Sequence, residues 1–148
     1  MTDKINVIEA NHNHINDWLK LRWALWPQLK LEGHRLEIKD MLKSGSETAF
    51  LAFYKSKAVG LAECSIRKYA EGCLTNNVAY LEGWYVDKNY RRKGVGSILI
   101  KKFEVWAKDF NCTELASDCD LNNDISYKAH IKNGFLEVER AIHFMKKL

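Results

Sequence analysis

At 148 residues, 47% of them hydrophobic and only one a proline, the chain is long enough to bury a core without metal or disulfide help and too apolar for disorder. Its net charge of +4 suits an anionic ligand but falls short of the dense basic surface of a nucleic-acid binder. Cys64, Cys73, Cys112 and Cys119 have no Cys-x-x-Cys spacing, and the five histidines do not extend them into a zinc pattern. No metal is therefore expected, and the thiols read as idle in a reducing compartment. The first residues lack the apolar core of a signal peptide, and no stretch reaches the length of a membrane span. The expectation is a cytoplasmic protein without a membrane partner. With no repeat, low-complexity tract or linker, residues 1–148 read as a single domain.

Lys4 to Glu9 alternates as a first strand. Asn11 or Asn13 is placed to cap a helix whose apolar stripe is Ile15, Trp18, Leu21 and Leu25, and Pro27 ends it. Leu31 to Leu42 reads as a second helix, broken by Ser44-Gly45-Ser46. Thr48–Tyr54 and Ala58–Ile66 are apolar runs joined as a β-hairpin through Lys55-Ser56-Lys57. After a polar loop from Lys68 to Asn77, a fourth strand spans Val78 to Val86. A long helix carries Val95, Leu99, Phe103, Trp106 and Phe110 at steps of three and four. Thr113–Asp118 reads as a short fifth strand, Asn122–Asn133 as a helix closed by Gly134, and Phe135–Met145 as one or two last strands. This order predicts an α/β mixed sheet with helices on both faces, the fourth and fifth strands being parallel neighbours.

Between the fourth strand and the long helix lies Arg91-Arg92-Lys93-Gly94-Val95-Gly96-Ser97. A basic, glycine-bearing loop that opens a helix offers a diphosphate backbone N–H groups and a helix N-terminus together. It ends in no Gly-Lys-Ser/Thr, and Leu99 replaces the third glycine of a dinucleotide loop, which argues against ATP and NAD. The alternative is a solvated basic turn. Glu82 sits inside an apolar strand, where a carboxylate is either ion-paired or turned into a cleft. Strict alternation places it on the face of Tyr80 and Trp84, unless a bulge at Gly83 re-aims it. Asp118 ends the fifth strand, where side chains face the ligand crevice of an open sheet; a turn or helix cap is the alternative.

Arg91-x-x-Gly94-x-Gly96, with Asn123 and then His130-x-x-x-Gly134-Phe135 at a suitable distance, resembles the GCN5-related N-acetyltransferases (GNAT). The resemblance implies that family's fold, with the fourth and fifth strands splayed. It also implies acetyl-CoA as cosubstrate, its diphosphate on Arg91–Ser97 and its pantetheine along Trp84, Tyr85 and Val86, with a further bond from Asn123. About 13 Å of strand separates Val86 from Glu82, so an extended arm would carry the thioester toward Glu82. His130 takes the place of the family's thiolate-protonating tyrosine; a structural histidine on a helix face is the alternative, as a helix N-cap is for Asn123.

Leu25-Trp26-Pro27, Cys64-Ser65-Ile66-Arg67, Leu81-Glu82-Gly83, Ala116-Ser117-Asp118 and Val138-Glu139-Arg140 are further similar to the aminoglycoside 6′-N-acetyltransferase branch. That likeness implies an antibiotic site lined by Trp26, Tyr69, Glu82, Asp118 and Glu139, with Glu82, Asp118 and His130 catalytic. It implies a homodimer that meets through the last strands and acts on a polycationic aminoglycoside; with no basic helix and no aromatic-plus-basic platform in the sequence, no nucleic-acid partner is expected. An acetyltransferase for a polyamine or a protein N-terminus, and a non-catalytic CoA-binding module, are the alternatives.

Overall fold

A computed structural model describes residues 4–148; residues 1–3, part of the amino-terminal stretch read above, lie outside it. The elements are β1 (Ile5–Glu9), α1 (Ile15–Leu25), α2 (Leu31–Lys43), β2 (Glu47–Tyr54), β3 (Lys57–Arg67), β4 (Val78–Val86), α3 (Val95–Asp109), β5 (Glu114–Ser117) and α4 (Asp124–Lys132). One sheet runs in the order β1-β2-β3-β4-β5, antiparallel throughout except for the parallel β4–β5 pair. The right-handed crossover through α3 accounts for that parallel step.

Alternation divides the sheet between two cores. Phe50, Ala52, Ala62, Cys64, Ala79 and Leu81 pack under the buried stripe of α3, made of Val95, Leu99, Phe103 and Trp106. On the other face Ala49, Leu51 and Leu61 pack against Trp18, Leu19 and Leu21 of α1 and Ile38 of α2. Helices therefore cover both faces, as the sequence predicts.

One residue of α1 breaks the apolar rule. Arg22 is 5% exposed, and its Nε donates to Glu63 Oε1 and Oε2 of β3 at 2.5 and 3.0 Å. Trp18 Nε1 donates to the same carboxylate at 3.2 Å, and Arg22 Nη2 reaches Glu37 of α2 at 2.6 Å. Burial pushes the Glu63 carboxyl up from its ordinary range, more than Arg22 pulls it down. The pair is a cross-brace tying α1 and α2 to the centre of the sheet.

The last strands do not form. Phe135 still packs on the α3 core, but beyond it residues 136–148 carry no helix or strand and lie in solvent, with Phe144 92% exposed. A strand exists only against a neighbour, and this arm lies against no strand of its own sheet among the described residues.

Because truncating one member of a buried pair strands the other's charge, Glu63→Ala is expected to cost about 3 kcal/mol. Calorimetry should show a melting temperature lower by about 6–12 °C.

Candidate active site

The register of β3 against β4 places a defect where the chemistry was expected. Glu63 faces Gly83 and the next residue, Cys64, faces Leu81, so Glu82 has no opposite number and forms a β-bulge. A bulge reverses alternation beyond it. Leu81 before it and Trp84 and Val86 after it all belong to the α3 side. Glu82 shares a side with Tyr80 but not with Trp84, which corrects the strict-alternation reading. Gly83, which follows the bulge, lies directly under Trp26 at the end of α1. A Cβ on Gly83 would sit 2.5 Å from that ring.

Glu82 is both ion-paired and open. Arg67 donates to it through Nε (2.8 Å to Oε1) and Nη2 (2.7 Å to Oε2), and Ser65 Oγ donates to Oε1 at 2.7 Å. The Arg67 guanidinium is pushed up, chiefly by these hydrogen bonds. It lies 3.5 Å over the Tyr80 ring, whose hydroxyl donates to Asp118 Oδ2 at 2.6 Å. Burial and then the Asp118 bond push the Tyr80 phenol up, so it stays a donor. Glu82, Arg67, Tyr80 and Asp118 are thus one connected group, with 33% of the Glu82 side chain exposed.

That exposed edge borders a cleft of about 470 Å³. Trp26 and Glu82 stand at its β4 side, the Arg22–Glu63 pair at its base, and Glu37, Asp40 and Glu47 along α2 and the start of β2. Carboxylates outnumber the single guanidinium five to one. An arrangement of that sign draws in cations, and the Trp26 face gives a flat apolar platform beside them. Tyr69, 69% exposed in the loop after β3, does not line the cleft. Nor does Glu139, on the exposed arm just past Val138, which rests against Gly72.

The other side of the bulge has a different character. β4 pairs with β5 only from Val78↔Glu114 to Leu81↔Ser117 and then continues to Val86 against β3 alone, so the sheet parts at the bulge. Within that gap the Trp84 indole Nε1 is buried with no hydrogen-bond partner. A buried orphan donor is rare enough to mark a ligand position. The Trp84 ring sits close to Gly96, where an added Cβ would be 3.1 Å away.

The backbone at Arg92 (φ +60°) and Gly94 (φ +82°) is left-handed, and α3 starts at Val95 with no side chain capping it and no acid in its first turn. Its first N–H groups are left without a side-chain cap beside Arg92 and Lys93, as in an anion nest. Arg91 is partly spent: its Nε donates to the Val86 carbonyl at 2.7 Å. Asn123 caps α4, accepting from Ser126 N at 3.1 Å, which leaves only its amide N–H₂ free. His130 lies in the gap as well, its ring edge-on to Trp84. Among the described residues no cluster of His, Cys, Asp or Glu is arranged to hold a metal, and no helix is long and apolar enough to cross a membrane.

The sequence model described as the Acetyltransferase (GNAT) family matches residues 15–135. The chain belongs to the GNAT acetyltransferase family. An aminoglycoside N(6′)-acetyltransferase type 1 of Klebsiella aerogenes is 45% identical over 88% of this chain and 89% of its own. Another, from Acinetobacter baumannii, is 38% identical over 97% of this chain and 99% of its own. Among solved structures, an aminoglycoside N-acetyltransferase in complex with CoA superposes with a TM-score of 0.94 at 34% identity, covering 97% of this chain and 95% of that one. The fold is thus the GNAT fold, whose splay is the parting of β4 from β5 at Leu81 and Ser117.

Sequence assigned no site role to Arg67, Ser65, Tyr80 or the α2 carboxylates, although Ser65 and Arg67 lie in a stretch that carries the resemblance. A signal was present for the first two: Glu63, Ser65 and Arg67 recur every second residue on the non-α3 face of β3. Overpacking beneath Trp26 should cost Gly83→Ala about 1–3 kcal/mol and alter the near-ultraviolet circular dichroism. Gly45→Ala, where an added Cβ meets nothing within 4 Å, is expected to change neither.

Proposed function

We propose that this GNAT protein is an acetyl-CoA-dependent aminoglycoside 6′-N-acetyltransferase, transferring acetyl directly from thioester to amine in a ternary complex. The observation that carries the proposal is the meeting of two sites at one bulge. An acidic, tryptophan-faced cleft opens onto Glu82 on one side of β4, and a gap with an orphan donor and a helix-borne anion nest opens on the other. Relatives sharing up to 45% of its sequence carry that activity in their names, and a structure at TM-score 0.93 holds a CoA-S-monomethyl-acetylneamine bisubstrate analogue.

In this reading Arg91, Arg92, Lys93 and the amides from Gly94 to Ser97 grip the diphosphate. The edge of Trp84–Val86 that β5 leaves open, with Arg91 on the Val86 carbonyl, receives the pantetheine as a substitute strand, and Asn123 adds its free N–H₂. The polycationic sugar enters with its amines toward Glu37, Asp40 and Glu47 and a ring on Trp26. Tyr69 and Glu139, exposed outside the cleft, complete the rim around bound antibiotic. Glu82, held by Arg67 and Ser65, keeps a lone pair toward the cleft, binds the 6′-ammonium and lets its proton pass to water. Asp118 holds Tyr80 and, through the stacked Arg67, the orientation of Glu82. A backbone N–H beyond the bulge stabilises the oxyanion, and His130 serves the departing thiolate.

The protein works as a homodimer in the cytoplasm, where its four free thiols stay reduced. The arm after α4 exposes Leu136, Val138, Ile142, Phe144 and Met145, while the outer edge of β5 pairs with no strand among the described residues. A second copy of the chain, adding its arm to that edge, covers both.

Thiol release from acetyl-CoA should appear with kanamycin or tobramycin and not with spermidine or peptides; the reverse preference would overturn the substrate. Glu82→Gln is expected to lower kcat by about 10²-fold or more with CoA binding intact. Unchanged turnover would remove Glu82 from the mechanism. Sedimentation should report twice the 17.2 kDa of one chain, falling to a single chain when residues 141–148 are removed.

A further inference from the structure

We propose that Ser117 is the group that hands a proton to the departing CoA thiolate, with His130 behind it resupplying that proton. The inference rests on the acetyl-transfer reading and adds to it a role for a residue to which the sequence reading gave none.

Ser117 is the last residue of β5 paired with β4, opposite Leu81, so it stands at the vertex where the strands part. Alternation sends its side chain to the α3 side with Leu115, while Asp118 turns to the other face and receives Tyr80. The vertex therefore has Glu82 and Asp118 on its cleft side and Ser117 on its gap side. An amine attacking a thioester held in the vertex and a sulfur leaving from it need their proton-handling groups on opposite sides of the carbonyl carbon, and these residues are so divided.

The His130 ring is fixed. Its Nδ1 lies 2.7 Å from the Ser126 carbonyl, which can only accept, so Nδ1 carries hydrogen and Nε2 is turned to Ser117 Oγ, 2.7 Å away. Trp84 and Phe135 stand edge-on to it, with centroids at 5.1 and 5.2 Å. Both ring nitrogens are engaged, so any proton the imidazole exchanges with the gap passes through the serine hydroxyl. That hydroxyl serves either state of the ring. It donates to Nε2 of the neutral imidazole, and it accepts from Nε2–H of the imidazolium, which leaves its own hydrogen only the long contact to the Leu81 carbonyl, 3.4 Å away, as an alternative to the gap.

The step balances within these groups and solvent. As the tetrahedral adduct collapses, the oxyanion pair re-forms the carbonyl and the C–S bond breaks with its electrons on sulfur. The Ser117 hydrogen moves to that sulfur and the Nε2 proton moves onto Oγ. Free CoA thiol, an intact serine and neutral imidazole remain. The substrate nitrogen gives two protons to water beside Glu82, one as the ammonium and one from the tetrahedral adduct. His130 regains one of them from solvent, and the other is the net proton the reaction releases.

The test is a set of Ser117→Ala, Ser117→Thr, His130→Gln and Ser117→Ala/His130→Gln variants. Each is measured for single-turnover acetyl transfer by rapid quench and for CoA binding by calorimetry. Ser117→Ala should slow transfer by about 10²-fold with CoA affinity within about twofold of wild type. Ser117→Thr, which keeps the hydroxyl, should recover most of the loss, and the double variant should be no slower than the slower single one. Full-rate transfer in Ser117→Ala, a loss matched by weakened CoA binding, or multiplying single effects would overturn the relay. Absence of transfer in the wild type would instead overturn the acetyltransferase reading itself.

Discussion

Everything in this site depends on one unpaired residue in a sheet. At Glu82 the backbone of β4 takes a step that β3 does not match, and three consequences follow from that step. The carboxylate turns toward the α1–α2 side, the alternation beyond it reverses so that Trp84 enters the opposite side, and the pairing of β4 with β5 ends at the residue before it. A strand with regular alternation would have placed Glu82 and Trp84 together and left no reason for β5 to stop at Ser117. The bulge makes one strand serve two ligands arriving from two directions, in keeping with the known tendency of bulges to sit beside active sites.

The surroundings hold this irregularity in place. Gly83 carries no side chain, which lets Trp26 lie on the backbone next to the bulge, and the Arg22 guanidinium lies 4.9 Å from the centre of that ring. Arg22 in turn is clamped by Glu63, the residue facing Gly83 across the strands. A buried ion pair is a poor source of stability compared with apolar packing, and its use here is geometric. His34 completes the brace, accepting from Arg22 Nη1 at 3.3 Å and donating through Nε2 to the Trp26 carbonyl at 3.0 Å. The aromatic platform, the bulge and the helix that carries the platform are therefore positioned by one polar cluster.

Most of the scaffold was legible in the sequence because its signals are local. The α3 stripe, the hairpin at Lys55–Lys57, β4 to the residue and the helix N-terminus after Gly94 all follow from periodicity and turn chemistry. What stayed hidden depends on register. Nothing local states that Arg67 comes to rest over Tyr80, or that Glu37 and Asp40 of α2 look across a cleft at Glu82. Glu82 was singled out for being a carboxylate in an apolar strand, and the two outcomes weighed for it, an ion pair and a cleft, both occur. The arm after Phe135 has the composition of a strand but no partner within its own sheet. Local pattern announces the propensity of such a segment without saying which chain satisfies it.

The most direct measurement of this account is a crystal structure with CoA and an aminoglycoside bound together. The diphosphate should lie on the amides of residues 92–97, the sulfur should lie between Ser117 and Trp84, and the 6′-nitrogen should reach the vertex from the Trp26 side of Glu82. Both ligands entering from one face of the sheet, or a β4 that closes onto β5 past Leu81 when they bind, would contradict it.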